Sequence, residues 1–230
     1  MGSRIADEIR EIKGELPQGV ELVAVSKFHP AEAVREAYDA GQRLFGENRP
    51  QEMTAKSAEL PTDIRWHMIG HLQTNKVKMI VPYVSMIESV DSEKLLRDID
   101  RHAALAGRVI NVLLEIHVAE EETKSGFTPD ECRRFVGGGE WAEMKNVRIC
   151  GLMCMASHTD DEARIHSDFR KVFNLFGELR QQYFNSPDSG FEYRSWGMSE
   201  DYKIAIEEGA NIVRIGTRIF GERDYGNKQQ

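Results

Sequence analysis

Eight short runs rich in apolar residues recur along the chain, and most lack the polar alternation of a strand with one wet face. They are Leu22–Val25, Arg43–Phe45, Trp66–Ile69, Val84–Glu88, Val109–Ile116, Ile149–Met153, Tyr193–Trp196 and Ile212–Ile215. A strand that is apolar on both sides must be covered on both sides, as in a parallel sheet whose crossovers are helices. Stretches with helical spacing fill the gaps between the runs, and the connections are short. This alternation predicts an α/β fold, a single (β/α)8 TIM barrel. The 230 residues suit it, since such barrels typically take ~250. Residues 1–230 are read as one domain. An open doubly wound sheet is the main competitor, and its dinucleotide-binding form has no support, because no GxGxxG follows an early strand.

The helical stretches carry recognisable ends. Arg4–Glu15 precedes the first strand and is expected at the bottom or side of the barrel. Pro30 opens one helix at a position where its missing N–H costs nothing, and Gly41 closes it. Asp91 or Ser92 caps another, with Leu95, Ile99 and Ala103 on one face. A long helix runs from about Asp161 to Tyr183 on a stripe of Ile165, Phe169, Val172, Phe173, Phe176 and Leu179. Ser199 is read as the cap of a segment that ends at Gly209.

The formal net charge of −8 argues against a broad nucleic-acid or anionic membrane surface as the main partner. No apolar run reaches the ~18 residues of a membrane span, and Met1–Glu15 lacks the apolar stretch of a signal peptide. A cytoplasmic location is expected. Cys132, Cys150 and Cys154 lack the number and spacing of a disulfide framework, and Cys150 and Cys154 read as buried packing residues.

In a barrel of this kind the chemistry sits where the strands end. Lys27 follows Leu22-Val23-Ala24-Val25-Ser26, and burial at a strand end favours the neutral, nucleophilic amine that Schiff-base formation needs. The plain alternative is a lysine that reaches outward to water. Ser195-Trp196-Gly197-Met198-Ser199 and Arg214-Ile215-Gly216-Thr217 supply N–H groups and hydroxyls at the last two strand ends, where barrels often hold phosphate. Capping and turn chemistry alone would also account for them. Lysine and phosphate cradle together point to a phosphorylated aldehyde.

The order of motifs makes the resemblance specific: Val23-Ala24-Val25-Ser26-Lys27, Phe45-Gly46-Glu47-Asn48, the stretch from Trp66 to Lys76, Thr123-Lys124-Ser125-Gly126-Phe127, Gly151-Leu152-Met153, Gly197-Met198-Ser199 and Arg214-Ile215-Gly216-Thr217. From about residue 4 to Gly221 the chain resembles the YggS/PROSC family of pyridoxal phosphate homeostasis proteins, whose fold is similar to the N-terminal barrel of alanine racemase. The resemblance implies pyridoxal 5′-phosphate held as a Schiff base on Lys27. It places Arg214 beside the pyridine nitrogen, Ser199, Gly216 and Thr217 around the phosphate, and Asn48 near the ring. His67 and Met153 become candidates for lining the ring, and Ser195 a further phosphate candidate. His117 stands where the family more often has Asn and is given no role.

Other features carry less. His67 and His71 lack further ligands at suitable spacing, so no metal site is expected. Glu120-Glu121-Glu122 reads as a solvated loop, and Gly137-Gly138-Gly139 as a helix stop. Thr74-Asn75-Lys76 reads as a helix start that exposes Lys76, and neither Lys76 nor Lys124 is given a physical role.

The resulting expectation is a carrier that stores pyridoxal phosphate and delivers it to apo-enzymes, as a monomer and without robust catalysis. An arginine at the ring nitrogen disfavours protonation there. The racemase's second domain, with its opposing acid/base, is not expected in this chain. The rivals are a pyridoxal-phosphate racemase or related enzyme, and a Schiff-base aldolase that uses Lys27 without a cofactor.

Overall fold

The computed structural model describes residues 3–118 and 125–222. Glu120-Glu121-Glu122 and the Thr123-Lys124 part of the fourth motif lie outside the described residues. In chain order the elements are α1 (Arg4–Glu15), β1 (Glu21–Val25), α2 (Ala31–Asp39), β2 (Leu44–Glu47), α3 (Pro50–Glu59), β3 (Arg65–Met68), α4 (Val77–Ile80), β4 (Met86–Val90) and α5 (Glu93–Leu105). There follow β5 (Ile110–Ile116), α6 (Pro129–Gly138), β6 (Val147–Cys154), α7 (Glu162–Gln182), β7 (Tyr193–Ser195), α8 (Tyr202–Glu207), β8 (Ile212–Ile215) and α9 (Thr217–Phe220). The strands pair in sequence order, all parallel, and β1 pairs β8 to close the barrel.

Two layers of apolar packing result. The larger lies between the sheet and the helices and includes Phe45, Leu95, Phe169, Val172 and Ile215. The smaller fills the barrel interior with Val23, Val25, Leu44 and Ile212 on one side and Met86, Leu113, Cys150 and Met153 on the other. All three cysteines are buried and free. Burial pushes the Cys150 thiol up to about 11 and the Cys132 thiol up to about 12.

Most expected boundaries hold within a residue or two. The fourth strand is shifted, starting at Met86, because the Val84 N–H closes a helical turn onto Ile80 O (2.8 Å). Ser92 caps α5 by accepting from Leu95 N–H, and Asp161 caps α7 by accepting from Ala163 and Arg164. Ser199 is not the cap of α8: Asp201 holds that position. α1 packs beside α2 and α9 on the flank of the barrel. Arg218 ties it there, donating to Glu8, Glu11 and Glu15 at 2.8–3.2 Å.

The β5–β6 ladder carries one irregularity. Val112 pairs with Ile149 and Leu113 with Gly151, so Cys150 is an extra residue, a bulge. The bulge is why Cys150 and Met153, three apart, both face the interior. Gly151 permits it with φ 154°, and a Cβ there would lie 1.8 Å from Tyr193 O. Gly151→Ala is expected to break the β6–β7 pairing and cost at least about 3 kcal/mol, the upper range for overpacking. Urea unfolding measures it, and a loss under about 1 kcal/mol would mean that the bulge tolerates a side chain.

Candidate functional site

A cavity of about 500 Å³ opens where the strands end, walled by the segments that follow β1, β6, β7 and β8. Lys27, Ser199, Arg214, Gly216 and Thr217 all line it, although the chain separates Lys27 from the others by more than 170 residues. The β1–β8 pairing brings them together: Val23 lies opposite Arg214 and Ala24 opposite Ile215, so both strands deliver their next residues to the same rim.

Lys27 is half-buried in the turn that leaves β1. Ser199 accepts a hydrogen bond from Gly216 N–H (3.3 Å), which sets a hydroxyl against the Gly216-Thr217 backbone. Gly216 packs tightly against β1: a Cβ there would lie 3.0 Å from Val25 O, closer than ordinary contact. The wall can therefore present N–H groups and small hydroxyls closely to an anion. It also includes His29, Ser157, His158, Asp160 and Glu200, none of which the sequence singled out.

Arg214 is buried among fixed partners. Nη1 donates to Ser195 O (2.7 Å) and Ser195 Oγ (2.6 Å), and Nη2 donates to Cys154 O (2.8 Å). Ser195 Oγ in turn donates to Glu88 Oε2 (2.5 Å), which lies 3.8 Å from Arg214 Nη1. The other oxygen of Glu88 meets His67 Nδ1 at 2.5 Å. Burial raises the Glu88 pKa, but His67, Arg214 and Ser195 outweigh it and hold the carboxyl below its ordinary value. A buried anion thus stands behind the arginine and fixes the plane of its guanidinium.

The remaining candidates lie elsewhere. Ser195 is fully buried, and its hydroxyl serves Arg214 and Glu88 rather than a cavity ligand. His67 and Met153 belong to the barrel interior, not the cavity wall. Asn48 is half-buried against Gly70, and its buried Oδ1 has no hydrogen-bond partner. His71 pairs with Asp91 (2.9 Å) and His67 with Glu88, so the two histidines do not converge. Lys76 is half-buried beside α4, while Lys124 lies outside the described residues. His117 Nδ1 is also buried without a partner. Sequence reasoning missed Glu88, Glu115, Glu47 and Lys56, because a charged residue within a strand or helix gives no sign of whether it faces inward.

The chain matches the family model of the alanine racemase N-terminal domain over residues 2–224. It is 38% identical over 228 residues to the pyridoxal phosphate homeostasis protein of Aquifex aeolicus, with 97% of each chain covered. The human pyridoxal phosphate homeostasis protein is 40% identical over 217 residues, covering 90% of this chain and 78% of that one. Among solved structures, PipY of Synechococcus elongatus with PLP bound superposes with a TM-score of 0.86 at 39% identity. That match covers 94% of this chain and 100% of PipY.

Glu115 offers a pH-dependent test of the barrel interior. It is buried on β5, accepts from Ser125 Oγ (3.2 Å), and its Oε2 has no partner. Burial pushes its carboxyl up to about 7 from an ordinary 4.5; Asp91 adds to this, and Ser125, Arg214 and His71 oppose it. Between those two values the folded chain keeps a proton that the unfolded chain has released. Stability therefore falls as pH rises through that window, by up to about 3 kcal/mol, and then levels off. Glu115→Gln should remove this dependence, matching the parent near pH 4.5 and exceeding it by up to about 3 kcal/mol near pH 8. Urea unfolding at both pH values decides: an equal difference at the two would place the titration elsewhere.

Proposed function

This chain belongs to the alanine racemase N-terminal-domain family, and from that premise we propose that it binds pyridoxal 5′-phosphate for intracellular homeostasis. On this reading it stores the cofactor on Lys27 and delivers it to apo-enzymes, without robust catalysis. The observation that carries the reading is the convergence of Lys27, Ser199, Arg214, Gly216 and Thr217 on one cavity. The naming of the relatives and PLP in the PipY structure support it.

The residues fit the group. The small Gly216 and the hydroxyls of Ser199 and Thr217 suit a phosphate, and Lys27 supplies a primary amine on the same wall. Pyridoxal phosphate, when bound, brings an aldehyde that condenses with a primary amine and releases water. Arg214 would face the ring nitrogen, where an arginine can only donate hydrogen bonds and has no proton to give up. Glu88 and Ser195 hold that guanidinium in place, and a fixed positive charge there would disfavour a proton on the ring nitrogen. Without that proton the ring withdraws electrons weakly, and holding is favoured over transformation.

Glu115 lends support to the alternative, an amino-acid racemase or related enzyme. A carboxyl with a pKa of about 7 is suited to proton transfer, although it stands in the interior and not on the cavity wall.

Borohydride reduction of the loaded protein followed by peptide mapping should place the phosphopyridoxyl group on Lys27, and Lys27→Ala should abolish the yellow colour. A label mainly on Lys76 or Lys124 would overturn the assignment. The second expectation separates carrier from catalyst. Loaded protein mixed with single-enantiomer amino acids should show cofactor transfer to an added apo-enzyme but no appreciable racemisation. Turnover of ~1 s⁻¹ or faster, within the usual enzyme range, would establish catalysis instead.

A further inference from the structure

On the side of β1 that faces α3, a buried lysine holds the turn that carries Lys27. Lys56, only 5% exposed, donates from Nζ to Ser26 O (2.8 Å), Glu47 Oε1 (2.7 Å) and Glu52 Oε1 (2.8 Å). All three ammonium protons are used. Ser26 Oγ donates to the same Glu47 oxygen (2.6 Å), and Glu52 Oε1 also accepts from Phe28 N–H (2.8 Å). The residue before Lys27 and the residue after it are thus anchored to Lys56 and Glu52, which lie one turn apart on α3.

The anchoring sustains an unusual backbone. Phe28 has φ 68°, the left-handed region, and it is the one non-glycine residue with positive φ among the described residues. Such a conformation is costly for a residue with a side chain and persists only where its surroundings over-determine it. Here Phe28 N–H is held by Glu52, and the Arg49 guanidinium lies 4.7 Å over the ring. The next residue, His29, stacks on Phe220 at 5.2 Å.

We propose that Lys56 is a positioning residue, whose ammonium fixes the Ser26–Phe28 turn so that the Lys27 amine enters the cavity in one orientation. The proposal rests on the reading of Lys27 as the residue that holds the cofactor. A buried ion pair is a poor stabiliser, because apolar side chains of similar volume often serve the fold as well or better. What Met at this position could not do is donate the hydrogen bond to Ser26 O. Its loss would free the carbonyl of the residue immediately before Lys27.

The test uses the double variant Lys56→Met/Glu47→Gln, which leaves no carboxylate of Glu47 buried without its cation, and separately Glu52→Ala. Two quantities are read: the rate at which pyridoxal phosphate becomes covalently linked, and the affinity for pyridoxine 5′-phosphate, which lacks the aldehyde. The expected result is a rate lowered about tenfold or more, as small misplacements of reacting groups produce, with analogue affinity unchanged. Unchanged rates would overturn the proposal, as would rate and analogue affinity falling together. If the double variant does not fold, the Glu52→Ala arm decides, and failure of both to fold would make the network structural and overturn the proposal. Peptide mapping of the unaltered chain is independent of Lys56, so a label away from Lys27 would reject the underlying reading and not merely its positioning device.

Discussion

The pairing of β1 with β8 is the contact on which the site depends. Before it forms, Lys27 and the Gly216-Thr217 turn belong to opposite ends of an open sheet. Once Val23 lies opposite Arg214, the exits of both strands share one rim, and Gly216 packs against the backbone of Val25. A Cβ at position 216 would be crowded by Val25, so closure of the barrel and shaping of this part of the cavity wall are one event. Lys27, Arg214 and Gly216 reach the cavity because the paired strand ends carry them there.

Much of this was legible in the residues. Parallel strands covered on both faces leave a long apolar record, and Ser92, Asp161 and Pro30 announce helix starts through local chemistry. The cavity residues after β1 and β8 could be named because barrel active sites follow strand ends. Ser199 lines the cavity, but the local rule that reads it as a cap fails: its hydroxyl meets Gly216 across the barrel mouth instead of capping α8. The interior acids were illegible. Glu88 and Glu115 sit in strands whose neighbours are apolar, and only the closed barrel shows that one is matched by Arg214, Ser195 and His67 while the other is largely unpaired. Lys56 was hidden for the same reason, since helix spacing alone does not tell that α3 turns this lysine toward β1.

Charge inside the barrel is arranged with unequal care. The Arg214–Ser195–Glu88–His67 chain satisfies both Glu88 oxygens and commits both terminal nitrogens of the arginine. Such a chain holds its geometry because each member would be costly to leave without the others. Glu115, with one oxygen unmatched, is instead the place where the interior can change its charge near neutrality.

The clasp between α1 and Arg218 bears on how the chain is made. Arg218 follows Glu15 by 203 residues, so a growing polypeptide presents α1 early and its partner only after all eight strands have been synthesised. Until then the buried face of α1, with Ile9 and Ile12, has α2 to lie against but not α9. Barrel closure and docking of the first helix therefore share a single late moment. A ribosome-bound fragment that stops short of β8 would expose to chaperones both an open sheet edge and the face of α1 that α9 later covers.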